Sequence, residues 1–214
     1  MAMDPTRKDN GMTRIFQTTL AAVAMLGLAA CQQVLTTAGG FILEDRASED
    51  QISDAKIGTE ILKVLADKDK MLVVDLSSDV WEQRVLLTGT VTSQAQKQEI
   101  ERALRADRRI REFYNEVQVV SKEEQDRRAK DKQDQGRSAG QVLDDVVIDT
   151  KIKAKLVTEG AVSSVNYRWR VHAGTVLILG AARTEAENTL VMDTIKGIEG
   201  VKNVKTYIRV RPAR

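Results

Sequence analysis

Hydrophobic positions along this chain repeat on two scales. Locally, Ile57, Ile61, Val64 and Leu65 fall at helical spacing behind Ser53 or Asp54 as a cap, and predict a helix. Leu72–Leu76 and Trp81–Thr90 are rich in β-formers and predict strands; a helix near Gln94–Ala106 and a strand at Glu116–Val120 complete the set. The succession then recurs. Val80–Gly89, VWEQRVLLTG, pairs with Val171–Gly180, VHAGTVLILG, 91 residues on, and each copy reads as a β-rich run that exits at a glycine into a polar helix start. Ser93-x-x-Gln96 and Thr184-x-x-Glu187 follow the glycines at one spacing, in the form of a capping box that satisfies the free amides of a first helical turn. Upstream, Asp54-Ala-Lys-Ile57 aligns with Asp149-Thr-Lys-Ile152 at an offset of 95; downstream, Asn115 aligns with Asn203 at 88. These offsets place about four extra residues before the strand of the first copy and three in or after its helix.

Each copy therefore reads helix, strand, strand, helix, strand. The predicted fold class is α+β: two tandem small αββαβ domains, residues 51–120 and 146–214, each a three-stranded sheet with two helices on one face. Residues 121–145 between them carry six basic and seven acidic side chains and almost nothing apolar before Val142. They read as the tail of a solvated helix or, preferred here, a charged linker broken at Gly136 and Gly140.

The start of the chain reads as an address. Arg14 precedes the apolar run Ile15–Ala30, too short and too alanine-rich to span a bilayer, and the run ends in Leu28-Ala29-Ala30-Cys31. That tetrapeptide resembles the lipobox of bacterial lipoproteins. It implies a signal peptide over residues 1–30, with Met1 or Met12 as its start, a lipidated Cys31 bearing acyl chains such as palmitate, and a flexible tether over 31–50. Cys31 is the chain's one cysteine, so its capping leaves no thiol for a disulfide.

Together these features resemble the BON-domain lipoproteins of the bacterial envelope. The resemblance rests on the lipobox and on Asp149, Ile152, Leu156, Gly174, Val176, Leu177, Gly180, Gly197, Val201, Asn203 and Val204 in the second unit. The first unit departs from it, with Gln83 at the turn glycine and Arg109 and Glu112 replacing Gly197 and Gly200. The resemblance implies a non-catalytic module associated with phospholipid surfaces and membrane integrity, sited at the outer membrane and facing the periplasm.

Catalysis finds no support in the residues themselves. His172 is the sole histidine, its counterpart is Trp81, and no nucleophile–base pair, soft-metal site or cofactor motif can be assembled. Gly197-Ile-Glu-Gly200 has the GxxG form of a nucleic-acid clamp but follows a helix and precedes a strand, which fits a helix C-cap and a turn. Neither an enzyme, a nucleic-acid partner nor a small-molecule substrate is expected.

Charge points elsewhere. Residues 51–120 carry 11 basic and 12 acidic side chains and residues 146–214 carry 12 and 6, a balance of −1 against +6 that implies an anionic partner for the second unit, in the envelope an anionic phospholipid membrane. On the first helix of that unit, Ile148, Ile152 and Leu156 form a core stripe. Val146 and Val157 point away from it and Val147 to its side, with Lys151, Lys153 and Lys155 spread among them. Trp169, flanked by Arg168 and Arg170, adds an interfacial anchor if its strand lies beside the helix. The expected lipid-binding set is thus Val146, Val147, Lys151, Lys153, Lys155, Val157, Arg168, Trp169 and Arg170. The competing class is a protein-binding adaptor for envelope assembly proteins, with no lipid contact by the folded domains.

Overall fold

The structure, a computed structural model, describes residues 44–133 and 141–211. The signal peptide, Cys31, the tether as far as residue 43, Gly136 and Gly140 lie outside the described residues. The first domain runs α1 (Ser48–Lys68), α2 (Leu72–Asp75), β1 (Leu76–Trp81), β2 (Arg84–Val91), α3 (Gln94–Arg105) and β3 (Glu112–Val119). A further helix, α4 (Lys122–Gln133), follows. The second domain runs α5 (Gln141–Thr158), a 3₁₀ turn (Ser164–Asn166), β4 (Tyr167–His172), β5 (Thr175–Ala182), α6 (Glu185–Lys196) and β6 (Asn203–Val210). In each sheet the middle strand, β2 or β5, pairs antiparallel with the strand before it and parallel with the strand after the second helix.

Five features differ from the sequence reading. Leu72–Asp75 is a helical turn, not a strand: Leu72 and Leu76 are buried and Val74 between them is exposed, a period of four instead of two. The run Trp81–Thr90 is broken by a two-residue turn at Glu82 and Gln83, both at positive φ, as are Ala173 and Gly174 in the second copy. Gly89 and Gly180 lie inside their strands, not at the exits. A Cβ there would sit 2.1 Å from the Asp75 carbonyl oxygen or 2.3 Å from that of Asn166, so glycine permits a close backbone approach. Finally, residues 122–133 form helix α4, and Glu44–Asp50 is not tether but structure, with α1 beginning at Ser48.

The repeat is also simpler than its sequence motifs implied. Asp54 does not cap α1. It lies in the helix and accepts the amides of Glu82 and Gln83 at 2.7 and 2.8 Å; Asp145 accepts those of Ala173 and Gly174 at 2.7 and 2.8 Å. Asp54 therefore answers Asp145 and not Asp149. Likewise Ile57, Ile61 and Leu65 answer Ile148, Ile152 and Leu156, all six buried. Glu112 answers Asn203 in the strand register. The offset is 91 throughout, and the offsets of 95 and 88 were chance identities of Asp and Asn. Both N-caps form, Ser93 and Thr184 accepting the amides of Gln96 and Glu187, while the Gln96 and Glu187 side chains accept the amides of Thr92 and Arg183, one residue before each cap.

Each sheet packs one face on its own two helices. Val85, Leu87 and Val91 join Ile57, Ile61 and Leu104 in the first core; Val176, Ile178 and Ala182 join Ile152, Val191 and Ile195 in the second. The other faces pack on each other through Trp81, Leu86, Leu177, Leu179 and Ala181, with Tyr114 stacked on Tyr207 at 4.2 Å. This gives four layers, helix–sheet–sheet–helix. It also explains why the VLL and VLILGAA runs are continuously apolar: a strand buried on both faces does not alternate. Across the interface β3 and β6 run in opposite directions, Glu112, Tyr114 and Glu116 meeting Arg209, Tyr207 and Lys205. Asp79 meets Arg170, which holds the equivalent place in the other domain. The domains are thus related by a pseudo-two-fold axis.

Candidate lipid-facing surface on the second domain

The outer face of α5 follows from the burial of its inner one. With Ile148, Ile152 and Leu156 sealed in the core, Val146, Val147 and Val157 stand 48%, 47% and 63% exposed, with Thr150 and Ala154 exposed on the same face. Their first-domain counterparts at the offset of 91 are Ala55, Lys56 and Ala66, not the apolar Ile52 and Leu62 that the offset of 95 suggested. Lys153 and Lys155 are exposed and make no ion pair with any described residue. Lys151 reaches Glu199 at 3.4 Å across open solvent, a contact worth little.

The structure divides the expected arginine–tryptophan cluster. Side chains alternate along β4, so Trp169 faces α5, where its indole N–H donates to Asp149 at 2.9 Å. Arg168 and Arg170 face the first domain instead. Arg170 pairs with Asp79 at 2.7 Å, while Arg168 pairs with Glu44 and lies over the Trp81 ring at 5.1 Å. Trp169 therefore joins the α5 surface, and the two arginines close the domain interface.

The charge asymmetry has the same origin. Lys205, Arg209 and Arg211 pair with Glu116, Glu112 and Glu82 of the first domain, as Arg168 and Arg170 pair with Glu44 and Asp79. Much of the basic surplus thus meets the acidic half of the same chain. Burial alone would raise the Glu116 carboxyl, but hydrogen bonds from Lys205 and Tyr207 outweigh it and hold the group below the ordinary carboxylate value.

Sequence reasoning missed Arg84, which is fully buried between the sheets. It donates to the carbonyl oxygens of Tyr207 and Gly180, both at 2.7 Å. Its signal was available, an arginine at the head of an apolar strand where the second copy has Thr175. The segment Glu44–Arg46 was missed too. The Asp45 amide donates to Asn166 at 3.0 Å, and Arg46 pairs with Asp54 and lies 4.1 Å from the Trp81 ring centroid, so this segment grips both domains.

Two stretches, residues 53–121 and 144–212, match the BON domain. The chain belongs to the BON-domain family. The matched BON domains are themselves 91 residues apart, in agreement with the structural register. An uncharacterized protein in the gshII 5' region of Anaplasma centrale is 31% identical over 163 residues, covering 76% of this chain and 98% of that protein. Osmotically-inducible protein Y of Escherichia coli (strain K12) is 24% identical over 160 residues, covering 75% of this chain and 74% of that protein. Among solved structures, the C-terminal domain of CdsD from the type III secretion system of Chlamydia trachomatis matches at 13% identity over 74% of this chain and 67% of that one. Its TM-score is 0.28. Among the described residues, no helix is long and apolar enough to cross a membrane, and no group of three or more His, Cys, Asp or Glu is placed to hold a metal.

Proposed function

We propose that this chain is a non-catalytic envelope lipoprotein, anchored at Cys31 in the outer membrane and facing the periplasm. Its second BON domain lays the outer face of α5 on anionic phospholipid and so supports membrane integrity. One observation carries the reading: three half-exposed valines share the outer face of α5 with Lys153 and are flanked by Lys151 and Lys155, at places where the first domain has Ala55, Lys56 and Ala66. A solvated helix has no need of those valines. In a headgroup layer they bury apolar surface while Lys151, Lys153 and Lys155 meet phosphates, at about 1 kcal/mol each, or roughly a hundredfold in affinity together. The hydrogen bond from Trp169 to Asp149 of α5 supports its reading as an interfacial aromatic anchor. Arg168 and Arg170 have no part in the contact.

Co-sedimentation of the non-lipidated Cys31→Ser chain with phosphatidylglycerol vesicles tests this. Binding should weaken as salt rises and be lost when all three lysines become glutamate, whereas zwitterionic vesicles bind both forms weakly. Unchanged, salt-insensitive binding by the triple variant sinks the reading.

A further inference from the structure

Of the nine large hydrophobics exposed among the described residues, six lie at one end of the stacked sheets: Met71, Val73, Val74, Val119, Val146 and Val147. The register places them there. Leu76 pairs with Gly89 and Val91 with Val119, so the Met71–Val74 turn leading into β1 sits where β2 and β3 finish. At this end Gln118 meets His172, the last residue of β4, which brings the second domain's hairpin turn alongside. Asp145 holds that turn through the amides of Ala173 and Gly174, and Val146 and Val147 follow it directly on α5. Helix α4 crosses the same end, bonded to Asp75 through Gln125 and to Gln118 through Arg128, and leaves all six exposed.

We propose that Met71, Val73 and Val74 form a preformed apolar tip that enters the headgroup–acyl boundary of the bilayer reached by Val146 and Val147 at the N-terminal end of α5, so that both BON domains share one lipid surface. This rests on the lipid reading of α5 given above. Leu72, buried at 3% exposure, pins the turn from inside and holds its neighbours outward. The Met71 amide is tied to Asp69 at 2.9 Å and the Asp75 amide to the Met71 carbonyl at 2.9 Å, so little ordering remains to be done on contact. The fold does not require an exposed apolar tip here: at the places of Met71, Val73 and Val74 the second domain has Val162, which is buried, and Ser164 and Val165, which are half-buried. Charges around the tip alternate as Asp67, Lys68, Asp69 and Lys70, so its contribution is apolar and indifferent to salt, unlike that of the α5 lysines.

The test uses the Cys31→Ser chain and phosphatidylglycerol vesicles. Replacing Met71, Val73 and Val74 together with serine should weaken binding by about tenfold at every salt concentration, with the circular dichroism spectrum unchanged because all three are exposed. Met71→Trp should add bromolipid quenching beyond that of the parent chain. Parent-like affinity in the serine variant, or no added quenching, overturns the proposal while the lysine variant still tests α5 separately. A concentration-dependent dimer that the serine variant abolishes would assign the tip to a second copy and overturn it likewise. Failure of the parent chain to bind vesicles at all overturns this proposal and the α5 reading together.

Discussion

Ile57, Ile61 and Leu65 in the first BON domain hold the same places as Ile148, Ile152 and Leu156 in the second, yet the opposite faces of the two helices have diverged. Ala55, Lys56 and Ala66 stand on α1 where Val146, Val147 and Val157 stand on α5. The turn before the first strand diverges in the other direction, with Met71, Val73 and Val74 exposed in the first domain and their counterparts Val162, Ser164 and Val165 buried or half-buried in the second. The same backbone and core thus carry two different surfaces. The sheet faces differ as well, acidic on one side and basic on the other, and this difference joins the domains. Buried positions are held by packing; exposed ones are free to specialise.

The sharpest way to break the pairing of the two sheets is Arg84→Ala. It removes a fully buried side chain and two charge-assisted hydrogen bonds, and should cost about 3–5 kcal/mol in chemical denaturation of the full chain. Thr175, its counterpart, makes no such contact, and Thr175→Ala should stay within about 1 kcal/mol. Next, neighbouring residues of β5 separate the two faces of one sheet. Ile178 packs in its own domain's core and Leu177 against the other domain. Ile178→Ala should cost about 2–5 kcal/mol both in the full chain and in residues 141–214 alone. Leu177→Ala should be costly only in the full chain, and equal losses in the isolated segment would refute the assignment of faces.

Smaller effects sharpen the comparison of the hairpins. Gln83 occupies a left-handed conformation at φ 64°, so Gln83→Gly should stabilise the first domain by about 0.5–1 kcal/mol. Gly174→Ala should destabilise the second, because a Cβ there lies 2.8 Å from the Gly200 carbonyl oxygen. A melting-temperature series over both variants reads the opposite signs. The smallest effect is that of pH. Glu116 has its pKa depressed in the folded chain, so its contribution is present above the ordinary value of 4.5 and is lost as pH falls below it through the depressed value. Glu116→Gln should flatten that part of the stability profile.

Much of the fold was legible in the sequence because a repeat reports its elements twice. The αββαβ order, both N-caps and the α5 core stripe came from periodicity and spacing. The helical turn at Leu72–Asp75 did not, since four apolar residues in five, two of them valine, read as a strand until tertiary packing decides the period. Nor did the role of Arg168 and Arg170. Alternation along β4 assigns them to the face opposite Trp169, but what covers that face depends on contacts nearly a hundred residues away. The charge balance implied an anionic partner but not that Arg170, Lys205, Arg209 and Arg211 would pair with acids of the first domain.

A patch that meets its own equivalent across a two-fold axis is the way two identical subunits associate. Here both halves belong to one polypeptide, so their encounter is governed by an effective concentration of order millimolar instead of by the concentration of protein. An interface that would dissociate at about 1 μM between separate chains then stays roughly 99.9% closed. Contacts as modest as Asp79 with Arg170 or Glu116 with Lys205 can therefore hold the sandwich shut at any dilution. Severing the backbone between residues 133 and 141 should make the same closure depend on concentration.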